Sequence, residues 1–406
     1  MHYNTGTLSN GLRIIHLQSD SEVAYCGVSI RAGARDETPE EEGLAHFVEH
    51  LLFKGTRKRR PWHILNRMEV VGGELNAYTA KEETFVYSIF LNGDFARAAE
   101  LIADIVSDAQ FPEQELDKER QVILDEISMY RDNPAELIFD EFENLLFKGN
   151  SLGHYILGTG KTLKSFKRPT CASFRDRCYT ADNMVFFSMS KTGFDRVLRT
   201  AERYFSSIKT RTSLNGHTRP DVCQTFHETR KKKTHQSHIV MGGASYNIFD
   251  ARHPALFLMN DILGGPGMNS RLNVSLRERN GLVYNIESNV TAYTDTGVFT
   301  ISFGTDPKHR DDAITLINSE LKKIRNERLN DTRLKAAKKQ AIGQIGVSGD
   351  NREMLFLGMG KSFLHRNTYD TLTETCRKIE AVTASQLQDV ANEILAPEKI
   401  ATLIYE

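Results

Sequence analysis

The amino-acid sequence predicts an α+β fold of two similar domains, each a largely antiparallel sheet packed with helices. Three observations carry the prediction. At 406 residues the chain exceeds what one hydrophobic core usually holds, so two domains of similar size are expected. A strand, turn and amphipathic helix occur twice in the same order, and a polar segment rich in turn formers lies between the two copies.

The first copy is Thr84–Val106, TFVYSIFLNGDFARAAELIADIV, and the second is Val298–Leu321, VFTISFGTDPKHRDDAITLINSEL. Each has Phe near its start (Phe85, Phe299), then a Gly-Asp or Thr-Asp-Pro turn, then apolar residues at helical spacing. The repetition points to an internal duplication. Further strands, such as Gly27–Arg31 and Val185–Met189, alternate with helical stretches. Lys209–Pro220, KTRTSLNGHTRP, has no periodicity and reads as a linker. The expected division is therefore an N-terminal domain over residues 1–208, a linker over 209–222 and a C-terminal domain over 223–406.

With 40% hydrophobic and 26% charged residues, the composition is that of a soluble globular protein. Lys+Arg 52 against Asp+Glu 53 leaves almost no net charge, so nothing global points to nucleic acid or an anionic membrane. Met1–Gly11 lacks the charged-then-apolar pattern of a signal peptide, and no stretch reaches membrane-spanning length. A cytoplasmic address is expected. Cys26, Cys171, Cys178, Cys223 and Cys376 are odd in number, widely spaced and free of any Cys-x-x-Cys pair, which argues against a disulfide framework or a thiolate zinc site.

One helix carries chemistry. Thr38, Pro39 and Glu41 form a capping-box start with proline at the first helical position, so a helix is expected from there. Leu44, Phe47, Val48, Leu51 and Leu52 follow as a core-facing stripe, which gathers His46, Glu49 and His50 on another face. Two imidazoles one turn apart can bind a tetrahedral zinc, and a carboxylate one position before the second can act as general base. A third ligand is needed, and a carboxylate is the usual partner of two histidines. Glu113–Tyr130, EQELDKERQVILDEISMY, offers Glu119 and Glu126, which share a face with Ile123 and Tyr130. Spacing does not choose between them.

Four ordered blocks resemble the inverzincin peptidases of the pitrilysin family, of the two-domain processing-peptidase type. They are GLAHFVEHLLFKGT (Gly43–Thr56), GGELNAYTAKEETFVY (Gly72–Tyr87), ERQVILDEISMY (Glu119–Tyr130) and RERNGLVY (Arg277–Tyr284). The resemblance implies a zinc-dependent endopeptidase that hydrolyses short or unfolded peptides with a zinc-activated water. It assigns His46, His50 and Glu126 as ligands of one zinc per chain, Glu49 as general base, and Glu119 as a carboxylate supporting the site from behind. Asn76, Ala77, Tyr78 and Thr79 match an edge strand on which substrate is laid as an added strand. Arg277 and Tyr284 match a pair that grips the substrate backbone and stabilises the oxyanion. The family's two-subunit members further imply a homodimer enclosing a chamber, with Arg277 and Tyr284 of one chain completing the zinc site of the other. The alternative is a non-catalytic structural subunit of a larger complex.

The chain departs from the family at His154 and Tyr155 in the loop GHYILG, where relatives often carry Arg and Pro, and its second half has no copy of His-x-x-Glu-His. Gly160-Lys161-Thr162 ends like a phosphate-binding loop, but Tyr155 stands where the motif needs glycine. Gly264–Gly267 reads as a loop, and the basic runs Arg57–Arg60 and Lys231–Lys233 read as solvated surface. His235 and His238 have no nearby carboxylate, and Trp62 is expected to anchor packing beside the metal-binding helix.

Overall fold

The computed structural model describes residues 3–210, 216–220 and 223–406; the remainder of the expected linker, 211–215 and 221–222, lies outside the described residues. The fold is α+β with two similar halves, each built on one sheet. Strands β1 (Tyr3–Thr7), β2 (Arg13–Gln18), β3 (Val23–Ile30), β4 (Glu74–Thr79), β5 (Thr84–Leu91) and β6 (Met184–Ser190) form the first sheet in the order β1-β2-β6-β3-β5-β4. The β2–β6 pair is parallel and the other pairs are antiparallel.

Strands β3, β5 and β6 read as near-continuous apolar runs, and they are buried almost throughout because both faces of the sheet are covered. Alternation along each strand assigns the faces. Ile14, Val86 and Phe186 point to one core with the helices Leu44–Leu52, Phe95–Asp108 and Phe194–Phe205. Their neighbours Ile15, Phe85, Tyr87 and Phe187 point the other way, onto Phe356, Met359 and Phe363 of the helix Arg352–Arg366.

The second sheet contains β7 (His227–Arg230), β8 (Ser237–Ser245), β9 (Val283–Ala292), β10 (Gly297–Thr305) and β11 (Ala401–Tyr405) in the order β7-β11-β8-β10-β9, with only β7–β11 parallel. One face meets the helices His253–Gly264, Arg310–Asn326 and Ala384–Ile394. The other meets Leu137, Ile138, Phe142 and Leu146 of the helix Pro134–Leu146.

Each sheet therefore takes the cover of its second face from a distant part of the chain. One compact unit comprises Met1–Ser128, His154–Thr218 and Asn351–Tyr369; the other comprises Met129–Gly153, Arg219–Asp350 and Asp370–Glu406. The chain passes between them within the expected linker, at Thr218–Arg219, and also at two exchanged segments. Among the described residues, no helix is long and apolar enough to cross a membrane.

Two expectations need correction. The capping box at Thr38 closes only a 3-10 turn, Pro39–Glu41, and the α-helix starts at Leu44. The reason is Gly43, whose φ of +93° breaks the helical path between the two. Trp62 is 66% exposed and anchors no core. Its helix, Pro61–Glu69, buries Ile64 and Met68 one turn apart, which turns Trp62 to the opposite side.

Candidate metal centre

The helix that presents the site is held at its N-terminus from outside. Glu37 accepts hydrogen bonds from the backbone amides of Gly43 at 2.9 Å and Ala45 at 2.6 Å, satisfying donors that no helical turn precedes. Leu44, Phe47, Val48, Leu51 and Leu52 are fully buried and clamp the helix to the core. That clamp fixes the direction of the opposite face.

His46 and His50 stand on that face with ring centroids 4.6 Å apart. Glu126 comes from the helix Glu113–Arg131, and its Oε2 lies 3.9 Å from His46 Nε2 and 3.8 Å from His50 Nε2. These distances are too long for hydrogen bonds, and Glu126 Oε2 is buried with no hydrogen-bond partner among the described residues. One ligand atom from each of the three side chains lies within 4.8 Å of the others, the only such group of His, Cys, Asp or Glu among the described residues. In a tetrahedral zinc site, ligand atoms about 2.1 Å from the ion are about 3.4 Å apart, so Glu126 needs to approach each histidine by only about half an ångström. The donor set fits zinc. Burial, with a smaller contribution from His50, lowers the His46 pKa to about 3, so the ring is neutral and has a lone pair to give.

Around this cluster stand the other candidates. Glu119 Oε2 lies 3.1 Å from His50 Nδ1, and its Oε1 pairs with Lys54 at 2.7 Å. Glu49 is buried beside the cluster, and Thr79 donates its hydroxyl to Glu49 Oε2 at 3.0 Å. Burial raises the Glu49 pKa, and Glu126 adds to the rise, while His50 and the Thr79 hydrogen bond oppose it. Thr79 ends β4, which carries Asn76, Ala77 and Tyr78 and, among the described residues, pairs only with β5, so one edge of β4 is open there. Tyr78 stacks on Phe85 with centroids 4.8 Å apart.

Arg277 and Tyr284 belong to the second unit and are not part of this cluster. Arg277 lies in a π-helical turn, Asn273–Glu278, with its guanidinium carbon 6.0 Å from the Tyr284 ring centroid, and Tyr284 is 85% exposed. In the departing loop, Lys81 donates to the His154 carbonyl, and the Tyr155 amide donates to Glu42 at 3.0 Å. Sequence reading missed Lys54, Glu37 and His217. The only local signal among them was Lys54, one helical turn beyond His50.

Comparison with known proteins points to one peptidase family. The chain is 31% identical over 400 residues to an uncharacterized zinc protease, YmxG, of Bacillus subtilis, covering 98% of this chain and 97% of that one. An uncharacterized zinc protease of Rickettsia bellii is 32% identical over 410 residues, covering 99% and 97%. In fold, the chain superposes on a peptidase M16 inactive domain from Pseudomonas fluorescens with a TM-score of 0.93 at 18% identity, covering 100% and 98% of the two chains. A protease from Helicobacter pylori gives 0.89 at 20% identity, covering 100% and 99%. Residues 13–160 match the family described as insulinase (peptidase family M16), and residues 165–341 match the peptidase M16 inactive domain. With end-to-end relatives above 30% identity and models of both domains matched in order, the chain belongs to the M16, or pitrilysin, peptidase family.

Proposed function

We propose that the protein is a zinc-dependent endopeptidase acting on short or unfolded peptides. The observation that carries the proposal is the convergence of His46, His50 and the unpartnered Glu126 Oε2, with the buried carboxylate of Glu49 beside them. His46, His50 and Glu126 would hold the ion. Its chemistry there is that of a Lewis acid, which polarises a peptide carbonyl and makes water more acidic.

The remaining steps belong to the chain's own side chains. Glu49 takes a proton from the attacking water and returns it to the departing amine, the work of a general base turned general acid. Its raised pKa suits the exchange, because a stronger base accepts the proton more readily. Thr79 holds one Glu49 oxygen in place. The open edge of β4, Asn76 to Thr79, receives substrate as an added strand, so main-chain hydrogen bonds bind it with little regard to side chains. Arg277 and Tyr284 are assigned to gripping the substrate backbone and stabilising the oxyanion. We assign them to the zinc site of a second copy in a homodimer.

The test is cleavage of a mixed peptide library with and without chelator. Cleavage should require metal. Glu49→Gln should keep its zinc and lose turnover by roughly 10²–10⁴-fold, whereas His50→Ala should lose zinc itself. A chain with full zinc and no cleavage of any peptide would favour the alternative, a non-catalytic structural subunit. For the shared site, Glu49→Gln and Tyr284→Phe proteins are mixed under conditions of verified subunit exchange. Activity should return in the mixture, and failure to return would remove the shared-site assignment while leaving the metal centre.

A further inference from the structure

Zinc affinity depends on how its ligands are held as well as on which they are. A metal-binding imidazole generally donates its second N–H to an acceptor, which sets its tautomer and the direction of its lone pair. The two histidines differ in this respect. His46 Nδ1 is buried with no hydrogen-bond partner, whereas His50 Nδ1 is 3.1 Å from Glu119 Oε2. Orientation of the pair is built in at His50 alone.

Glu119 in turn has both oxygens engaged, Oε2 by His50 and Oε1 by the Lys54 ammonium at 2.7 Å. The exposures of the three side chains rise outward, from 8% for Glu119 and 20% for His50 to 29% for Lys54. A carboxylate so far removed from water needs a cation, and Lys54 is the cation in contact with it. Lys54 sits in the turn that ends the metal-binding helix, its amide bonded to the Leu51 carbonyl at 3.1 Å, so it is tied to the same element as His50. We infer that Lys54 is a positioning residue of the metal centre: it fixes the Glu119 carboxylate, which fixes the His50 ring with Nε2 toward Glu126. The inference rests on the zinc reading of the site above.

Without Lys54, Glu119 Oε1 would lose its charged partner and the carboxylate could swing away from His50. Zinc binding should weaken, and by the route through Glu119. The experiment measures zinc affinity of the metal-free full-length chain by competition with a chromophoric chelator, and follows each metal-free variant by thermal unfolding. Lys54→Met should bind zinc roughly 10-fold more weakly, the lower end of what such outer partners contribute, and Lys54→Arg should recover most of the loss. In a Glu119→Gln background, Lys54→Met should change affinity less than about 2-fold, because the residue it acts through is already gone. Unchanged affinity in Lys54→Met, or fully additive losses in the double variant, would overturn the inference while leaving the zinc site intact. Absence of zinc binding by the unmodified protein would overturn both.

Discussion

His217 sits where the chain leaves the first unit, and its imidazole lies between two carboxylates. Its Nε2 is 2.9 Å from Asp36 Oδ1, its Nδ1 is 3.5 Å from Glu82 Oε1, and its side chain is only 9% exposed. Burial works against its charge, but the interactions with Asp36 and Glu82 outweigh burial and raise its pKa to about 9. Because the folded value exceeds the usual 6.5, the stabilisation is complete below about pH 6.5 and is lost as pH rises through about 9. At about 1.4 kcal/mol per pKa unit it amounts to at most roughly 3–4 kcal/mol. Urea unfolding of the natural chain and His217→Gln should differ most at pH 6 and converge above pH 9.5; a difference independent of pH would contradict the assignment. His46, Glu49 and His50 were legible in the sequence because five consecutive residues of one helix carry them. Glu119 and Glu126 were not separable by spacing, since both lie on one helical face; in the fold, Glu126 faces the two Nε2 atoms and Glu119 faces the Nδ1 of His50. His217 and Glu37 gave no sign, because their partners are set by folding and not by spacing.

Among the elements, the helix Leu44–Leu52 depends on its first turn. A Cβ at Gly43 would stand 2.7 Å from Gly158 Cα and 2.8 Å from the Leu157 carbonyl oxygen, on a backbone at φ +93°. Gly43→Ala should therefore cost at least about 2 kcal/mol and shift the helix that carries both histidines, so melting temperature and zinc affinity should fall together. A variant that melts normally and binds zinc normally would show that the contact relaxes without consequence. The strands Val23–Ile30, Thr84–Leu91, Met184–Ser190 and Gly297–Thr305 and the helices Phe95–Asp108, Glu113–Arg131 and Arg310–Asn326 were readable from period. The start of this helix was not, because the Thr38 capping box competes with a glycine whose positive φ no pattern announces.

At the scale of the molecule, the sequence announced two halves of one plan but not the exchange of helices between them. An apolar stripe at helical spacing says that a helix is buried and is silent about which sheet it covers. Residues 1–208 alone should then present Ile15, Leu17, Phe85, Phe187 and Met189 to water, because the helix Arg352–Arg366 is missing. That fragment should aggregate or bind a hydrophobic dye, and a peptide spanning Asn351–Tyr369 added during refolding should suppress both. A soluble, dye-silent fragment would mean that another segment can close the face.

The same helix governs when the protein can finish folding as it is made. Strand β6 emerges from the ribosome long before Arg352 does, and at ordinary rates of translation the interval is roughly 10–30 s. Through that time, the aromatic face of the first sheet waits uncovered. The nascent chain thus exposes apolar surface until the helix Arg352–Arg366 is made, and a frameshift or stalled ribosome late in the message leaves the first sheet as incomplete as an early one does.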